Sequence, residues 1–143
     1  MVQAFKIFSM AVNFVLLDIA IWTSIVLVLC MALLQLSITL GAPLGEYVLG
    51  GTHKVLPTKM KFLSGFLSCL WFVVGISYLQ EADIINPIIS GASANMLLII
   101  YTIFLGIAII WNGFVTKSKK EKYVMTPLTT IGFICSMFFL LNS

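Results

Sequence analysis

Long apolar stretches alternate with short polar segments along this chain. Four stretches of 18 to 24 residues carry no charged side chain, at positions 19–40, 62–79, 92–115 and 124–141. At a rise of about 1.5 Å per residue, even the shortest covers roughly 27 Å of a hydrocarbon core that is about 30 Å thick. The pattern therefore predicts an all-α fold, a transmembrane bundle of four helices, in a single domain over residues 1–143.

The first 17 residues show a different, amphipathic pattern. Their polar side chains, Gln3, Lys6, Ser9 and Asn13, follow one another at intervals of three or four residues. This spacing predicts a helix that lies in the bilayer interface or extends the first span outward. An alternative divides residues 2–40 into two helices that turn near 13–18, which would make the N-terminal part a short fifth span. A cleaved signal peptide is disfavoured, because only one lysine precedes the apolar part and no convincing A-x-A site follows it.

Small residues recur within the spans at the spacing that favours helix contact in lipid. Ser64 and Ser68 are four residues apart in the second span, and Gly132 and Ser136 repeat this spacing in the fourth. Because such residues let two backbones approach closely, we expect both pairs to face neighbouring helices.

Composition strengthens the membrane prediction. Hydrophobic residues make up 61% of the chain and charged residues 9%, with a mean hydropathy of +1.13. A soluble domain is nearer 45–50% apolar and about 25% charged. The net charge of +3 comes from lysine alone. Since arginine is the usual residue for bidentate phosphate and base contacts, its absence argues against nucleic-acid binding.

The lysines are distributed unevenly between the two sides of the predicted bundle. Three lie in residues 41–61 and four in residues 116–123, whereas the segments on the other side hold only Lys6. Lysine-rich loops stay in the cytoplasm as a rule. We therefore expect loops 41–61 and 116–123 to be cytoplasmic and both termini to lie outside.

Residues 41–57, the glycine-rich loop, read GAPLGEYVLGGTHKVLP and join the first two spans. Four glycines permit close backbone approach, and the apolar residues between them predict a plug or half-buried hairpin at the end of the bundle. The candidate binding residues are Gly45, Glu46, Tyr47, Gly50, Gly51, His53 and Lys54. Glu46 and His53 are also the weak candidates for catalysis as an acid/base pair. A structural role is favoured for them, since no HExxH, HxxxxD or CxxC pattern accompanies them.

Other chemistry receives little support. Cys30, Cys69 and Cys135 lie inside apolar runs without a CxxC pair, so they are expected to be small packing residues rather than disulfide, zinc or redox residues. We expect no metal site and no cofactor. Ionisable residues lie only at span ends and in loops, which disfavours charge-coupled transport.

The loop sequence also resembles a known pattern. GAPLGEYVLGG-x-HKVLP, followed by KMKFLSG and an apolar run, is similar to a GAP-x-G…GG…VLP loop in small four-helix bacterial integral membrane proteins. There it joins the first two spans, and Leu44 stands where those proteins carry an aromatic residue. The resemblance covers about residues 20–80. It implies a bacterial inner-membrane protein and brings no activity with it.

The functional prediction is a non-catalytic, multi-pass membrane protein. It would bind a partner protein, or an apolar or lipid ligand, through its helix faces and the glycine-rich loop. Its expected partners are membrane lipid and a second membrane protein or another copy of itself. The alternatives are a membrane-embedded enzyme acting on a lipid or isoprenoid through Glu46 and His53, and a small oligomeric transporter or channel. The sequence leaves open whether the protein is an enzyme.

Overall fold

The computed structural model describes residues 2–142, which are largely helical and contain no β-strand. A single 3₁₀ turn lies at Gly45–Tyr47, between the first two helices. π-Helical turns at Trp111–Val115 and Glu121–Met125 flank the third connection. The long helices are α1 (Val2–Thr39), α2 (Thr58–Glu81), α3 (Gly91–Ile110) and α4 (Thr126–Asn142).

These elements confirm the predicted all-α bundle. With its adjoining π turn where it has one, each of the four helices in residues 2–142 is long and apolar enough to cross a membrane. The second helix extends beyond the predicted span 62–79, since it begins at Thr58 and ends at Glu81. Lysine and glutamate are good helix formers, so helical structure continues past the point where the hydrophobic pattern stops.

The N-terminal segment is part of α1 and not a separate element. The helix runs without a break through residues 13–18, where the alternative prediction placed a turn. Residues 2–40 contain no glycine or proline that would interrupt it. Residues 3–16 are exposed on every side. They extend α1 beyond the part that packs in the bundle.

The helices form a four-cornered bundle in which α1 and α3 each pack against α2 and α4. The predicted small-residue contacts are present between α1 and α2. Ser64 Oγ donates to Gln35 Oε1 at 2.7 Å, and Ser68 Oγ donates to the Ala32 carbonyl at 2.9 Å. Each of these hydroxyls is buried and bonded to the opposite helix. The two small serines therefore allow α1 and α2 to approach closely, and their hydrogen bonds fix how the two helices face each other.

The half of the bundle nearer the α2–α3 connection contains an aromatic core with a polar centre. Tyr78 packs against Tyr101 and Phe139, at ring-centroid distances of 6.1 and 5.7 Å. Its hydroxyl is hydrogen-bonded to Ser136 Oγ, which is 2.5 Å from Thr102 Oγ1. Side chains from three helices therefore satisfy one another's hydroxyl groups in a region that water does not reach.

Gln80 fixes the connection between α2 and α3. Its Oε1 accepts from the backbone N–H groups of Ile88 and Ile89, each at 2.9 Å, and its Nε2 donates to the Ile89 carbonyl at 2.8 Å. One buried side chain thus replaces the hydrogen bonds that regular secondary structure would supply to this segment.

Candidate functional site

The two lysine-bearing loops meet at one end of the bundle. The glycine-rich loop lies against residues 116–121, which are about 70 positions later in the chain. Ser118 Oγ donates to the Glu46 carbonyl at 2.6 Å, and the Gly50 N–H donates to Glu121 Oε1 at 3.0 Å. Val48 and Leu56 are buried against Ile38 of α1. The glycine-rich loop is therefore folded back against the end of the bundle, as the sequence predicted.

An ion pair joins the loops at their exposed edge. Lys120 Nζ lies 2.5 Å from Glu46 Oε2 and 5.1 Å from the centroid of the Tyr47 ring. The hydrogen bond from Lys120 lowers the pKa of Glu46 below its ordinary value, and the positive charges of Lys120 and Lys54 act in the same direction. The same hydrogen bond, with the charge of Glu46, raises the pKa of Lys120. Both shifts favour the charged forms of the pair, and the ion pair holds Lys120 over the Tyr47 ring.

A strained turn brings the loop into this contact. Leu49, Gly50 and Gly51 all have positive φ, at 53°, 84° and 63°. Such a run is unfavourable for residues with a side chain, which accounts for the two glycines. A Cβ on Gly51 would lie 2.2 Å from Ser118 Cβ, whereas one on Gly50 would meet nothing within 4 Å. Gly51 is thus required for close approach as well as for conformation.

The candidate acid/base pair is not brought together. Glu46 is bonded to Lys120, while His53 is exposed and its Nδ1 lies 2.7 Å from Thr52 Oγ1. No hydrogen bond or ion pair joins Glu46 to His53 among residues 2–142. His53 and Lys54 contribute backbone carbonyls instead. The Gly45 N–H donates to the Lys54 carbonyl at 2.9 Å, and a Cβ on Gly45 would lie 2.4 Å from the His53 carbonyl oxygen.

Glu121 is the functional candidate that sequence reasoning missed. Its side chain is 3% exposed. One carboxylate oxygen accepts from the Gly50 N–H and the other from the Thr116 hydroxyl. In the sequence it is one acid among four lysines of TKSKKEKY, which is typical of a solvated turn. The contact with the glycine-rich loop, distant in sequence, contributes to its burial.

A cavity of about 340 Å³ lies between the helices, directly inside this loop contact. All four helices contribute to its walls, and Tyr47, Val48 and Leu49 of the glycine-rich loop line it from the end. Both π-helical turns contribute as well, through Trp111 and Glu121. Such turns are frequent at functional sites, because they redirect side chains that a regular helix would place elsewhere.

The cavity walls are largely apolar, with a few polar groups. Gln35 is 4% exposed, and its Oε1 accepts from Ser64. The indole N–H of Trp71 is buried without a hydrogen-bond partner in residues 2–142. Trp111 is also exposed at the surface, so the cavity is not sealed from the surroundings of the bundle. This combination is typical of a small-molecule site, in which apolar walls give affinity and a few polar groups give orientation.

The part of the chain that the structure describes holds no metal site and no paired cysteines. Within residues 2–142, no three His, Cys, Asp or Glu side chains lie close enough together to hold a metal ion. The three cysteines are free. Cys30 and Cys69 are exposed, so the expectation that all three are packing residues is wrong for these two. Cys30 is one of the residues that line the cavity, whereas the small apolar side chain of Cys69 suits a lipid-facing surface.

Four helices of this length and apolarity define a multi-pass α-helical membrane protein. Comparison with known families and proteins does not narrow this assignment further. The chain matches no protein-family model, no curated protein and no solved structure.

Proposed function

We propose that this multi-pass membrane protein binds one compact, largely apolar molecule in the cavity between its helices, with the glycine-rich loop as a cover. The observation that carries the proposal is the 340 Å³ cavity, whose end is formed by Tyr47–Leu49 and by Glu121. Binding sites for small molecules typically measure roughly 300–1,000 Å³. The volume suits a single-chain or small aromatic molecule better than a whole phospholipid with two acyl chains.

The loop contact supports a role as a cover. Val48 is buried, while Glu46 and Gly50 are bonded to residues that precede α4. These contacts hold Tyr47 and Leu49 against the cavity, and the Gly50–Glu121 hydrogen bond fixes the loop to the cavity lining. Side chains such as Ile107, which is 60% exposed, connect the cavity lining with the outer surface. A ligand dissolved in the bilayer would therefore reach the cavity from the lipid.

The proposed orientation places the loop contact in the cytoplasm. Seven of the eight lysines belong to residues 41–61 and 116–123, so the positive-inside rule favours this side. The resemblance of the glycine-rich loop to that of small bacterial membrane proteins supports the bacterial inner membrane as the location.

Quenching of Trp71 fluorescence tests the proposal directly. The protein would be purified in a maltoside detergent with Trp22→Phe and Trp111→Phe, so that Trp71, which lines the cavity, is the remaining tryptophan. A dibrominated octane is the neutral, apolar quencher. We expect quenching that saturates as the quencher fills the site. A linear, unsaturable response would contradict the proposal.

Two cysteine variants supply a matched comparison. Cys30→Phe introduces a ring into the cavity lining, whereas Cys69→Phe makes the same change on an exposed position of α2 outside it. We expect the first to abolish saturable quenching and the second to leave it unchanged. Equal effects of the two substitutions would mean that the quencher binds elsewhere.

A further inference from the structure

We propose that the molecule bound in the cavity is a lipophilic cation, an amine or quaternary ammonium group attached to a compact apolar body. This inference rests on the proposed function, since it concerns the same cavity. It assigns Glu121 as the counter-charge of the ligand and the aromatic side chains of the lining as the surface against which the cation lies.

The charge of the cavity is the first observation. Among the described residues that line it, Glu121 is the only carboxylic acid, and none is a lysine, arginine or histidine. Glu121 accepts hydrogen bonds from two uncharged donors. The ion pair formed within residues 2–142 is that of Glu46 with Lys120, so Glu121 has no cation in contact. A buried carboxylate without a paired charge is unfavourable, and a cationic ligand would relieve that penalty.

The aromatic lining is the second observation. Five aromatic side chains line the cavity, on the loop, α2, α3 and the π turn that follows α3: Tyr47, Trp71, Tyr101, Phe104 and Trp111. The electron-rich faces of such rings attract cations, and quaternary ammonium ligands are typically held among several of them. Tyr47 already has the Lys120 ammonium 5.1 Å from its ring centroid. A lining with one carboxylate, five aromatic rings and no basic side chain favours positively charged ligands over negatively charged ones.

Glu121 also has a structural role, and the test must distinguish this role from that of a counter-charge for the ligand. It lies at the start of the helical segment that leads into α4, where a carboxylate is favoured by the helix dipole, and it connects the two loops. Glu121→Gln removes the charge and keeps both hydrogen bonds. The amide oxygen can accept from the Gly50 N–H, and the amide N–H can donate to the Thr116 hydroxyl.

The experiment measures displacement of the dibrominated octane from the Trp71 site by three matched molecules. They are octyltrimethylammonium, its neutral isostere with carbon in place of nitrogen, and octyl sulfate. In the otherwise unchanged protein we expect the cation to displace the quencher at a concentration roughly tenfold or more below that of the isostere, and the sulfate to be weakest. Glu121→Gln should remove this preference and leave displacement by the isostere unchanged.

Asp83→Asn is the matched control, because it removes a carboxylate from an exposed position of the α2–α3 connection, outside both the cavity lining and the loop contact. We expect it to retain the preference for the cation. Tyr47→Leu keeps an apolar side chain at the cover. It should weaken displacement by the cation and leave displacement by the isostere unchanged, so it tests the inference even where Glu121→Gln does not fold.

Equal displacement by the cation and its isostere in the starting protein would overturn the assignment of a cationic ligand while leaving the proposed function intact. A preference that survives Glu121→Gln would overturn the role of Glu121. Absence of saturable quenching by the dibrominated octane itself would instead contradict the proposed function.

Discussion

Gly50 and Gly51 are adjacent, both have positive φ, and yet they differ in what surrounds them. An alanine at either position incurs backbone strain of about 1–3 kcal/mol. At Gly51 its Cβ would also overlap Ser118 and lie 2.8 Å from the Glu46 carbonyl, whereas at Gly50 the space is open. We expect Gly51→Ala to lower the thermal unfolding midpoint clearly more than Gly50→Ala. Equal shifts would mean that the two loops do not touch at Gly51.

The ion pair between Glu46 and Lys120 predicts a dependence on pH. Because the pKa of Glu46 is lowered in the folded protein, its contribution to stability is present above the ordinary carboxyl pKa and is lost as the pH falls through the lowered value. The pKa of Lys120 is raised, so its contribution is complete below the ordinary lysine pKa and is lost as the pH rises through the raised value.

We therefore expect unmodified protein to be more thermally stable than Glu46→Gln between these two limits, and the difference to vanish at acidic and strongly alkaline pH. It should be small and should decrease with salt, since both side chains reach solvent. Thermal unfolding of the two proteins across pH, at low and high ionic strength, measures the difference. A difference that persists below the titration of Glu46 would show that the pair is not its cause.

At the scale of residues, the sequence predicted which positions matter but not what they contact. The glycines of the loop indicated close backbone approach, and the structure shows it at Gly45 and Gly51. Their partners were not predictable, because Ser118 and Glu46 are 72 positions apart and neither belongs to a motif. Glu121 resembled an ordinary solvated charge for the same reason.

Gln80 holds the α2–α3 connection with three hydrogen bonds, so its loss should loosen that element. We expect Gln80→Leu to lower stability by about 1–3 kcal/mol, because backbone groups of residues 88–89 lose their buried partner. Asn95→Leu is the control, since it makes a similar amide-to-leucine change on an exposed face of α3. Unfolding in detergent measures the stability of both variants. Equal stabilities would mean that the hydrogen bonds of Gln80 do not stabilise the α2–α3 connection.

A buried and an exposed phenylalanine should respond differently to truncation. Phe139 is buried among aromatic side chains, and Phe139→Ala should cost about 3–5 kcal/mol. Phe8 lies on the exposed extension of α1, and Phe8→Ala should change stability by less than about 0.5 kcal/mol. The same unfolding assay compares them. A large loss from Phe8→Ala would mean that residues 3–16 pack against something within the protein.

At the scale of elements, the lengths of the uncharged apolar stretches were sufficient to predict the four helices, because a helix that crosses lipid needs a long uninterrupted apolar segment. They could not fix the ends. Helix α2 includes Lys59 and Lys61, which hydropathy excludes, and the π turns beside α3 and α4 have no sequence signature. The continuity of α1 followed from the absence of glycine and proline, yet amphipathic spacing alone left it undecided.

The cavity belongs to the whole molecule, and no single stretch of sequence could predict it. It arises where four helices meet a folded-back loop, and its lining combines residues from position 27 to position 132. Periodicity describes one helix at a time, whereas a cavity depends on how helices are arranged around it. The charge pattern, by contrast, acts on the whole chain and predicted that the two lysine-bearing loops share one side, where the structure brings them into contact.

The central claim is that four helices cross a membrane and place both lysine-bearing loops together on its cytoplasmic side. Labelling single cysteines with a charged, impermeant maleimide in intact cells tests it most directly, in protein whose native cysteines are serine. The exposed positions Thr52→Cys, Lys119→Cys and Asn86→Cys report on the two loops and on the α2–α3 connection. We predict that Asn86→Cys reacts in intact cells and that the other two react only after permeabilisation. Labelling of Thr52→Cys and Lys119→Cys on opposite sides, or of all three alike in intact cells, would contradict the account.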